Sequence, residues 1–523
     1  MLREKNSIFL KQNREGVFLP GGLFISFGGL FLFLLAGLSV FRFWLLSAVP
    51  ISGDEAYHWE WSRHLAFSYY DHPGLTAWVI RFFTLIFGQT IIGVRAGALV
   101  STVVVLIVIY YLGREAYQSQ RIGFMGFALA AFTALFAASS LMMTTDPPYA
   151  AFWALAVFFL YQAIFRDRPG FFYLAGIAFG FSMLGKFLGF IILPCILLFF
   201  LFSARHRFFL RRKEPYIACL LALLILTPVF YWNARHDWAT FVFNFATRHE
   251  ELKPHLLYFM EYLAGQSLLV SPLIFLPLIY ILWKSWSLRA SEKESRDFFL
   301  FSFTAPPLLA FAFVSIFERA GAHWPAVAYI TGIPLFTGWF FRNNTRAAAR
   351  YVYACLIISV LFLCAGHVFL LRPDLIPEYR YEANPQKINT LYLREYYGWK
   401  ELGNAIAENL EIMGHEDTFL MSPAYTFSAT ISFYTPGQPF CHHFGPESMH
   451  GNNYRYWTDW EGLEGRDAIY IGLKELRGSE MKRLSRAFRR IETLKPLYIY
   501  SRGKLVRKFY LTRGYQFKGN APR

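Results

Sequence analysis

Charge is scarce in this chain. Only 16% of its 523 residues are charged, against roughly 25% in ordinary soluble domains, and 55% are hydrophobic with a mean hydropathy of +0.33. That balance excludes an ordinary soluble globular protein, and an aromatic content of 20% excludes a disordered chain as well. Cysteine is scarce too. There are five, none in a CxxC pair, and Cys195, Cys219, Cys355 and Cys364 lie inside apolar runs, so neither a disulfide framework nor a zinc site is supported. The sequence also lacks a P-loop and a GxGxxG unit, the two common cradles for a nucleotide. Acidic residues are outnumbered 35 to 51, giving a formal charge of +16. In a soluble protein that excess would suggest nucleic acid. Here the apolar content makes membrane topology the first explanation, and no nucleic-acid partner is expected.

What the chain has instead is long apolar runs. Stretches able to cross about 30 Å of hydrocarbon recur near 20–42, 90–112, 122–141, 148–165, 171–185, 187–202, 216–232, 262–283, 298–317, 325–341 and 351–371. The pattern predicts a polytopic α-helical membrane protein of about eleven transmembrane helices. The first run is too long, and lacks the small-residue site, for a cleavable signal peptide. Basic runs such as "RDRPG", "SARHRFFLRRKEP", "KSWSLRASEKESR" and "RNNTRAAAR" fall in alternate breaks, which are therefore expected to be cytoplasmic together with the N-terminus. The same bias divides 171–202 into a tight helical pair broken at "LGKFLG", with Lys186 on the outer side. An odd number of crossings then places residues 372–523 outside. That tail mixes β-type runs ("DTFLMS", "DAIYIGL", "PLYIYSR", "KFYLTR") with helical ones ("GWKELGNAIAENLEIM", "GSEMKRLSRAFRRIE") and predicts a small α/β domain. The division is thus 1–371 for the membrane domain and 372–523 for an extracytoplasmic domain.

Ionisable residues gather on the outer side. An ionisable group at membrane depth is a functional candidate by default. The first outer loop, "SGDEAYHWEWSRHLAFSYYDHPGLTAW", holds Asp54, Glu55, Glu60, Asp71, His58, His64 and His72 among aromatics. An interfacial aromatic belt accounts for Trp59 and Trp61, but nothing in the topology requires Asp54 and Glu55 side by side at a helix end. The second outer loop, "MMTTDPPYA", has Asp146 as its one charge; a helix cap with Pro147 in the first turn and Thr144 or Thr145 assisting is the plain alternative. Lys186, alone, reads as a snorkelling lysine. The loops "NARHDWATFVFNFATRHEELKPH" and "FERAGAHWPA" add Arg235, Arg248, Arg319 and His323. Together these groups predict one outer cavity with carboxylates and cations. Nucleotide sugars are not expected on that side, so a donor there should be carried by a lipid. Its phosphate leaving group needs cations, and the acceptor hydroxyl needs a carboxylate to take its proton.

The segments "DEAYHWEWSRHLAFSYYDHPGL", "TTDPPYAAFWAL", "GFSMLGKFLGFIILP", "YWNARHDWATFVFNF" and "AHWPAVAYI", in that order, resemble the bacterial GT-C glycosyltransferases of the protein O-mannosyltransferase and lipid A aminoarabinose transferase superfamily. "SATISFYTPGQP" in the tail is a looser likeness. The resemblance implies a GT-C fold and an inverting transferase that moves a sugar from a polyprenyl-phosphate donor to a glycolipid acceptor such as lipid A or lipopolysaccharide core. It implies Asp54 as the catalytic carboxylate, assisted by Glu55 or Asp146, and Asp71-His72-Pro73 as the acid, cation and proline element of the family. Lys186 and His72, with Arg248 or Arg235, would face the donor phosphate, and Asp71, His323 and Arg319 would complete the site. His72 stands where aminoarabinose transferases carry lysine, and Gly74 replaces a frequent second proline. The first departure argues against aminoarabinose as the sugar. The basic tail segment "MKRLSRAFRRIE", read as one helix, offers Arg486 and Arg490 to the phosphates of an anionic glycolipid. Protein O-glycosylation is the second enzyme reading, and a lipid-linked sugar transporter the third. The transporter would want charges at mid-membrane and pseudo-repeated halves, whereas the charges gather at one surface. No cofactor is certain. A divalent metal is left open, since the donors exist without a spacing such as HExxH. The protein is expected to act as a monomer in the cell inner membrane. The sugar, the linkage position and the polyprenol are not legible.

Overall fold

The computed structural model describes residues 15–18, 24–244, 253–287, 295–342, 345–372, 375, 397–415, 417–445, 451–501 and 504–519. A short antiparallel hairpin, β1 (Gly16–Phe18) and β2 (Phe24–Ser26), leads into the helical part. Its helices are α1 (Phe27–Leu45), α2 (Gly53–Arg63), α3 (Leu75–Phe87), α4 (Ile91–Tyr117), α5 (Gln120–Phe132), α6 (Ala134–Ser139), α7 (Asp146–Phe165), α8 (Phe171–Gly185), α9 (Ile192–Phe202), α10 (Glu214–Ala234), α11 (Ala239–Val242), α12 (Leu256–Val270), α13 (Pro272–Ser287), α14 (Ser295–Val314), α15 (Ala328–Arg342) and α16 (Arg346–Leu371).

The apolar runs read from the sequence are mainly helical among the described residues, the first one only from Phe27 onward, after strand β2. Six of the described helices, α1, α4, α7, α10, α14 and α16, are long and apolar enough to cross a membrane unaided. The chain is a multi-pass membrane protein. One run departs from a straight helix: 262–283 is divided between α12 and α13, which meet at 111° around Ser271. Ser271 adopts φ +80, and Pro272 has no N–H with which to continue α12 and disfavours the helical conformation in the residue before it. The first outer loop is not irregular either, since α2 and α3 occupy most of it; α2 is too short and too polar to span.

The break between α8 and α9 has a packing cause. A Cβ on Gly185 would come within 3.0 Å of the Tyr149 backbone, and one on Gly189 within 3.1 Å of the Met183 amide. Glycine at both places lets the chain turn tightly against the first turn of α7, through a short 3-10 segment at Phe187–Ile191.

Residues 399–517 form the α/β domain: α17 (Trp399–Met413), β3 (Thr418–Ser422), α18 (Tyr425–Tyr434), β4 (Cys441–His443), α19 (Tyr454–Trp457), β5 (Asp467–Gly472), α20 (Gly478–Ala487), β6 (Phe488–Thr493), β7 (Leu497–Ser501) and β8 (Lys504–Phe517). The strand order is β4-β3-β5-β8-β6, parallel between β4, β3 and β5 and antiparallel around β8, whose first half pairs with β7. "MKRLSRAFRRIE" is therefore not one helix. It changes from helix to strand at Phe488, whose ring is buried in the domain core while Arg489 and Arg490 are exposed.

The domain docks on α2 through α18. Ala429, Phe433 and Tyr454 share an apolar cluster with Ala56, Tyr57, Trp59 and Trp61. Around it the Ile51 amide donates to Tyr434 Oη (3.0 Å) and Gln438 Nε2 donates to the Gln89 carbonyl (3.1 Å). The loosely family-like "SATISFYTPGQP" is this docking element.

Candidate active site

Ser52, Gly53, Asp54 and Glu55 start α2 as a capping box. Ser52 Oγ accepts from the Glu55 amide (3.3 Å), and Glu55 Oε2 accepts from the Ser52 amide (3.0 Å). Glu55 then takes two 2.7 Å bonds from Arg95 Nε and Nη2 and one of 3.0 Å from the Met143 amide. Arg95 spends its other donors on the carbonyls of Leu46, Val49 and Pro50. Burial alone would raise the Glu55 carboxyl, but Arg95 and these bonds bring it below its ordinary value. Glu55 is 0% exposed and does not line the cavity described below. Its expected place beside Asp54 as a reacting carboxylate is corrected to a brace for the start of α2.

Asp54, one residue earlier, is exposed and lines a cavity of about 560 Å³ between α2, α7, the α8–α9 break and α18. Asp71, His72, Asp146, Lys186 and His323 line the same cavity. Six of the residues singled out in the sequence thus converge from four separate segments. Lys186 Nζ donates to Asp146 Oδ1 at 2.9 Å, and His323 Nε2 lies 3.6 Å from Asp146 Oδ2. The Asp146 amide donates to Thr144 Oγ1 at 3.3 Å, but α7 begins at Asp146 itself and the preceding Thr145 makes no side-chain capping bond, so Asp146 is a first-turn carboxylate facing the cavity and not the helix cap. Asp71 is held by Tyr57, whose hydroxyl donates to Oδ2 at 2.7 Å, and by Asn453 Nδ2 at 3.3 Å. His72 follows on a tight turn closed by the Ser68–Pro73 bridge. Gly74 fits there because a Cβ would lie 2.8 Å from the Ala66 carbonyl oxygen, which explains why the second proline is absent.

Other expected residues stand elsewhere. Arg235 is exposed at the end of α10, over the Tyr231 ring at 4.9 Å, and Arg319 is exposed and paired with Glu261 at 2.8 Å; neither lines the cavity. Arg248 lies outside the described residues. Arg486, on α20, and Arg490, stacked on Tyr515 at 4.1 Å, are exposed near the β6 edge, the sheet edge opposite β4 and its neighbour α18. Among the described residues no three His, Cys, Asp or Glu side chains are grouped to hold a metal ion.

Two further residues belong here, His58, which was named in the first outer loop without a role, and Asn453, which was missed. His58, one turn after Asp54 on α2, lines the cavity; burial lowers its ring's proton affinity while Asp54, Asp71 and Asp146 pull it up. The i, i+4 spacing to Asp54 was visible in sequence. Asn453 comes from the sheet domain and carried no local signal. Its Nδ2 donates to Tyr57 Oη at 2.6 Å, and its Oδ1 accepts from the Tyr70 amide at 2.8 Å.

The overall arrangement matches ArnT from Cupriavidus metallidurans in the apo state with a TM-score of 0.64, at 14% identity, over 93% of this chain and 98% of that one. The chain has the GT-C fold. ArnT bound to undecaprenyl phosphate, a second structure with the GT-C fold, gives a TM-score of 0.60 at 14% identity over 92% and 97% of the two chains. The dolichyl-phosphate-mannose-protein mannosyltransferase family model matches residues 71–232, a span that holds Asp71, His72, Asp146 and Lys186. Lipid A galacturonosyltransferase RgtD of Rhizobium johnstonii is 25% identical over 307 residues, which are 58% of this chain and 63% of that protein. The match thus spans under two thirds of that relative's length.

Proposed function

We propose that this protein is an inverting glycosyltransferase that moves a sugar from a polyprenyl-phosphate donor to a glycolipid acceptor of the lipid A or lipopolysaccharide type. The observation that carries the reading is the cavity itself. It joins an exposed carboxylate, Asp54, to an Asp146–Lys186–His323 group and His72, on a fold shared with a protein whose structure holds undecaprenyl phosphate. The lipid A activity named for the Rhizobium relative supports the acceptor class. The basic breaks support an N-terminus in the cytoplasm and a periplasmic sheet domain, in the cell inner membrane.

In this reading Asp54 accepts the proton of the acceptor hydroxyl as its oxygen attacks the anomeric carbon. The bond from that carbon to the donor phosphate oxygen breaks, and the electron pair leaves on polyprenyl phosphate. Single displacement inverts the anomeric centre. Lys186 uses one of its three N–H donors on Asp146 and keeps two for the leaving phosphate, where His72 assists. Asp146 and His323 hold Lys186 in place, and Glu55 with Arg95 fixes the first turn of α2 that carries Asp54.

The test is Asp54→Asn in purified protein, with transfer followed by mass spectrometry of lipid A and core oligosaccharide. A variant with unchanged melting behaviour and a loss of transfer of about 10²-fold or more is expected. Undiminished transfer would remove Asp54 from the reaction.

A further inference from the structure

A second, smaller cavity of about 350 Å³ lies behind the first and is built differently. Its walls come from the end of α2 and the loop after it, the end of α10 and α19 of the docked domain, in the aromatic segment "NNYRYWTDW", of which the main site uses Asn453. Trp232 and Trp457 supply broad rings, Tyr456 a third, and His64 and His236 the polar atoms; Asn453 also lines the cavity, with its amide bonded to Tyr57, Asp71 and Tyr70. No Lys, Arg, Asp or Glu lines it, in contrast to the main cavity.

The polar groups are set for a neutral guest. Burial and the neighbouring Arg63 push the His64 ring down to about 4, so it is uncharged near neutral pH. His236 stacks on Trp232 with centroids 3.9 Å apart, and its Nδ1 is engaged with the Trp232 carbonyl at 2.7 Å. The other ring nitrogen, Nε2, has no hydrogen bond among the described residues. His64 stacks on Trp457 at 4.8 Å.

The two cavities share one wall. Asn453 lines the small cavity and donates to Tyr57 and Asp71, both of which line the large one. Tyr69, also in the small cavity, stacks at 4.4 Å on Trp61 of the large one.

We infer that the small cavity is a saccharide subsite that seats a pyranose ring of the glycolipid acceptor beyond the ring that receives the new sugar. A pyranose has an apolar C–H face, which needs an aromatic face, and a rim of hydroxyls, which needs neutral donors and acceptors. An aromatic pocket with imidazole groups and no charged lining residue meets both needs, and the guanidinium of Arg455, which lies over the Tyr456 ring at 4.7 Å, donates to the Tyr456 hydroxyl. The donor's single sugar belongs beside Asp54 and the phosphate group, on the other side of the Asp71–Asn453 wall. This assignment rests on the proposed glycolipid acceptor for its biological ligand, though not for its chemistry.

The experiment titrates purified full-length protein with deacylated, dephosphorylated lipopolysaccharide, a soluble oligosaccharide, and reads binding by ligand-observed NMR saturation transfer. Saturable binding is expected, weakened at least tenfold by Trp457→Ala and by His236→Ala and largely kept by Trp457→Phe. No saturable binding to the unmodified protein, binding unchanged in both alanine variants, or preferred binding of an unglycosylated peptide would each overturn the subsite. In the transfer assay the same two variants should raise acceptor KM about tenfold with kcat and donor KM unchanged; an equal fall in kcat would make these residues structural and sink the assignment. Binding without any transfer to glycolipid would break the proposed function and leave the subsite, and transfer without binding would do the reverse.

Discussion

Two carboxylate–cation pairs stand in this molecule with nearly the same length and opposite meanings. Glu55–Arg95, at 2.7 Å, is 0% and 3% exposed, and every oxygen and nitrogen of both side chains is spent on the pair itself or on Ser52, Met143 and three carbonyls. Asp146–Lys186, at 2.9 Å, keeps 18% and 9% exposure on the wall of the cavity, and its lysine retains two donors. The lesson is that a buried ion pair becomes structural when its hydrogen-bonding capacity is exhausted. It stays available for chemistry when some capacity faces a cavity.

Substitutions can break that comparison. The largest effect on activity is expected from Asp54→Asn, and the largest on folding from its neighbour. Glu55→Gln leaves Arg95 buried with a neutral partner and should cost about 3–5 kcal/mol, read as a fall in melting temperature and in detergent-extractable folded protein. A Glu55→Gln protein that melts normally yet transfers nothing would show that Glu55 reacts after all. Lys186→Ala should come next, lowering kcat or raising donor KM by roughly tenfold or more while melting normally; unchanged kinetics would make Asp146–Lys186 as structural as the other pair. Asn453→Ala removes a bond that ties the sheet domain to Asp71 and Tyr57. A stability loss of about 1–3 kcal/mol with a smaller fall in transfer is expected, and a pure activity loss would move Asn453 into the reaction.

The smallest effect concerns a third carboxyl on the same helix, Glu60. It is 0% exposed, with Arg63 at 3.1 Å and the His64 ring at 3.8 Å, and burial, partly offset by Arg63, pushes it up to about 7. Because the folded value lies above the ordinary one, the folded state holds the proton more tightly than the unfolded state does. Stability is therefore full below about pH 4.5 and declines as pH rises through about 7. Glu60→Gln should raise the melting temperature at pH 8 relative to the unmodified protein, by at most about 3 kcal/mol in stability, and the gap should close towards pH 5. Equal gaps at both pH values would show that ionisation of Glu60 plays no part.

The three carboxylates of α2 show how far the sequence could be read. Ser52-x-x-Glu55 is a capping-box spacing, so the structural part of Glu55 was legible in four residues, although its adjacency to Asp54 suggested shared chemistry. Arg95 was visible only as a charge inside an apolar run, and nothing local could pair it with Glu55 forty residues away. The bend at Ser271 was readable from Pro272. The change from helix to strand at Phe488 was not, since "MKRLSRAFRRIE" suits a helix and β8 alone, pairing with β6, decides otherwise. Arg235 and Arg319 had the right sign and the right loop, but Tyr231 and Glu261 hold them away from the cavity.

By itself the sequence determined the membrane class, the run of helices, the mixed tail domain and the short list of chemistry-bearing residues. Those follow from hydropathy, charge bias and motif spacing, which are local along the chain. Only the tertiary structure decided which member of each list faces the cavity. That choice depends on contacts between segments tens to hundreds of residues apart, such as Asp146 with Lys186, Glu55 with Arg95 and Asp71 with Asn453, and on which of those contacts leaves a polar atom unspent.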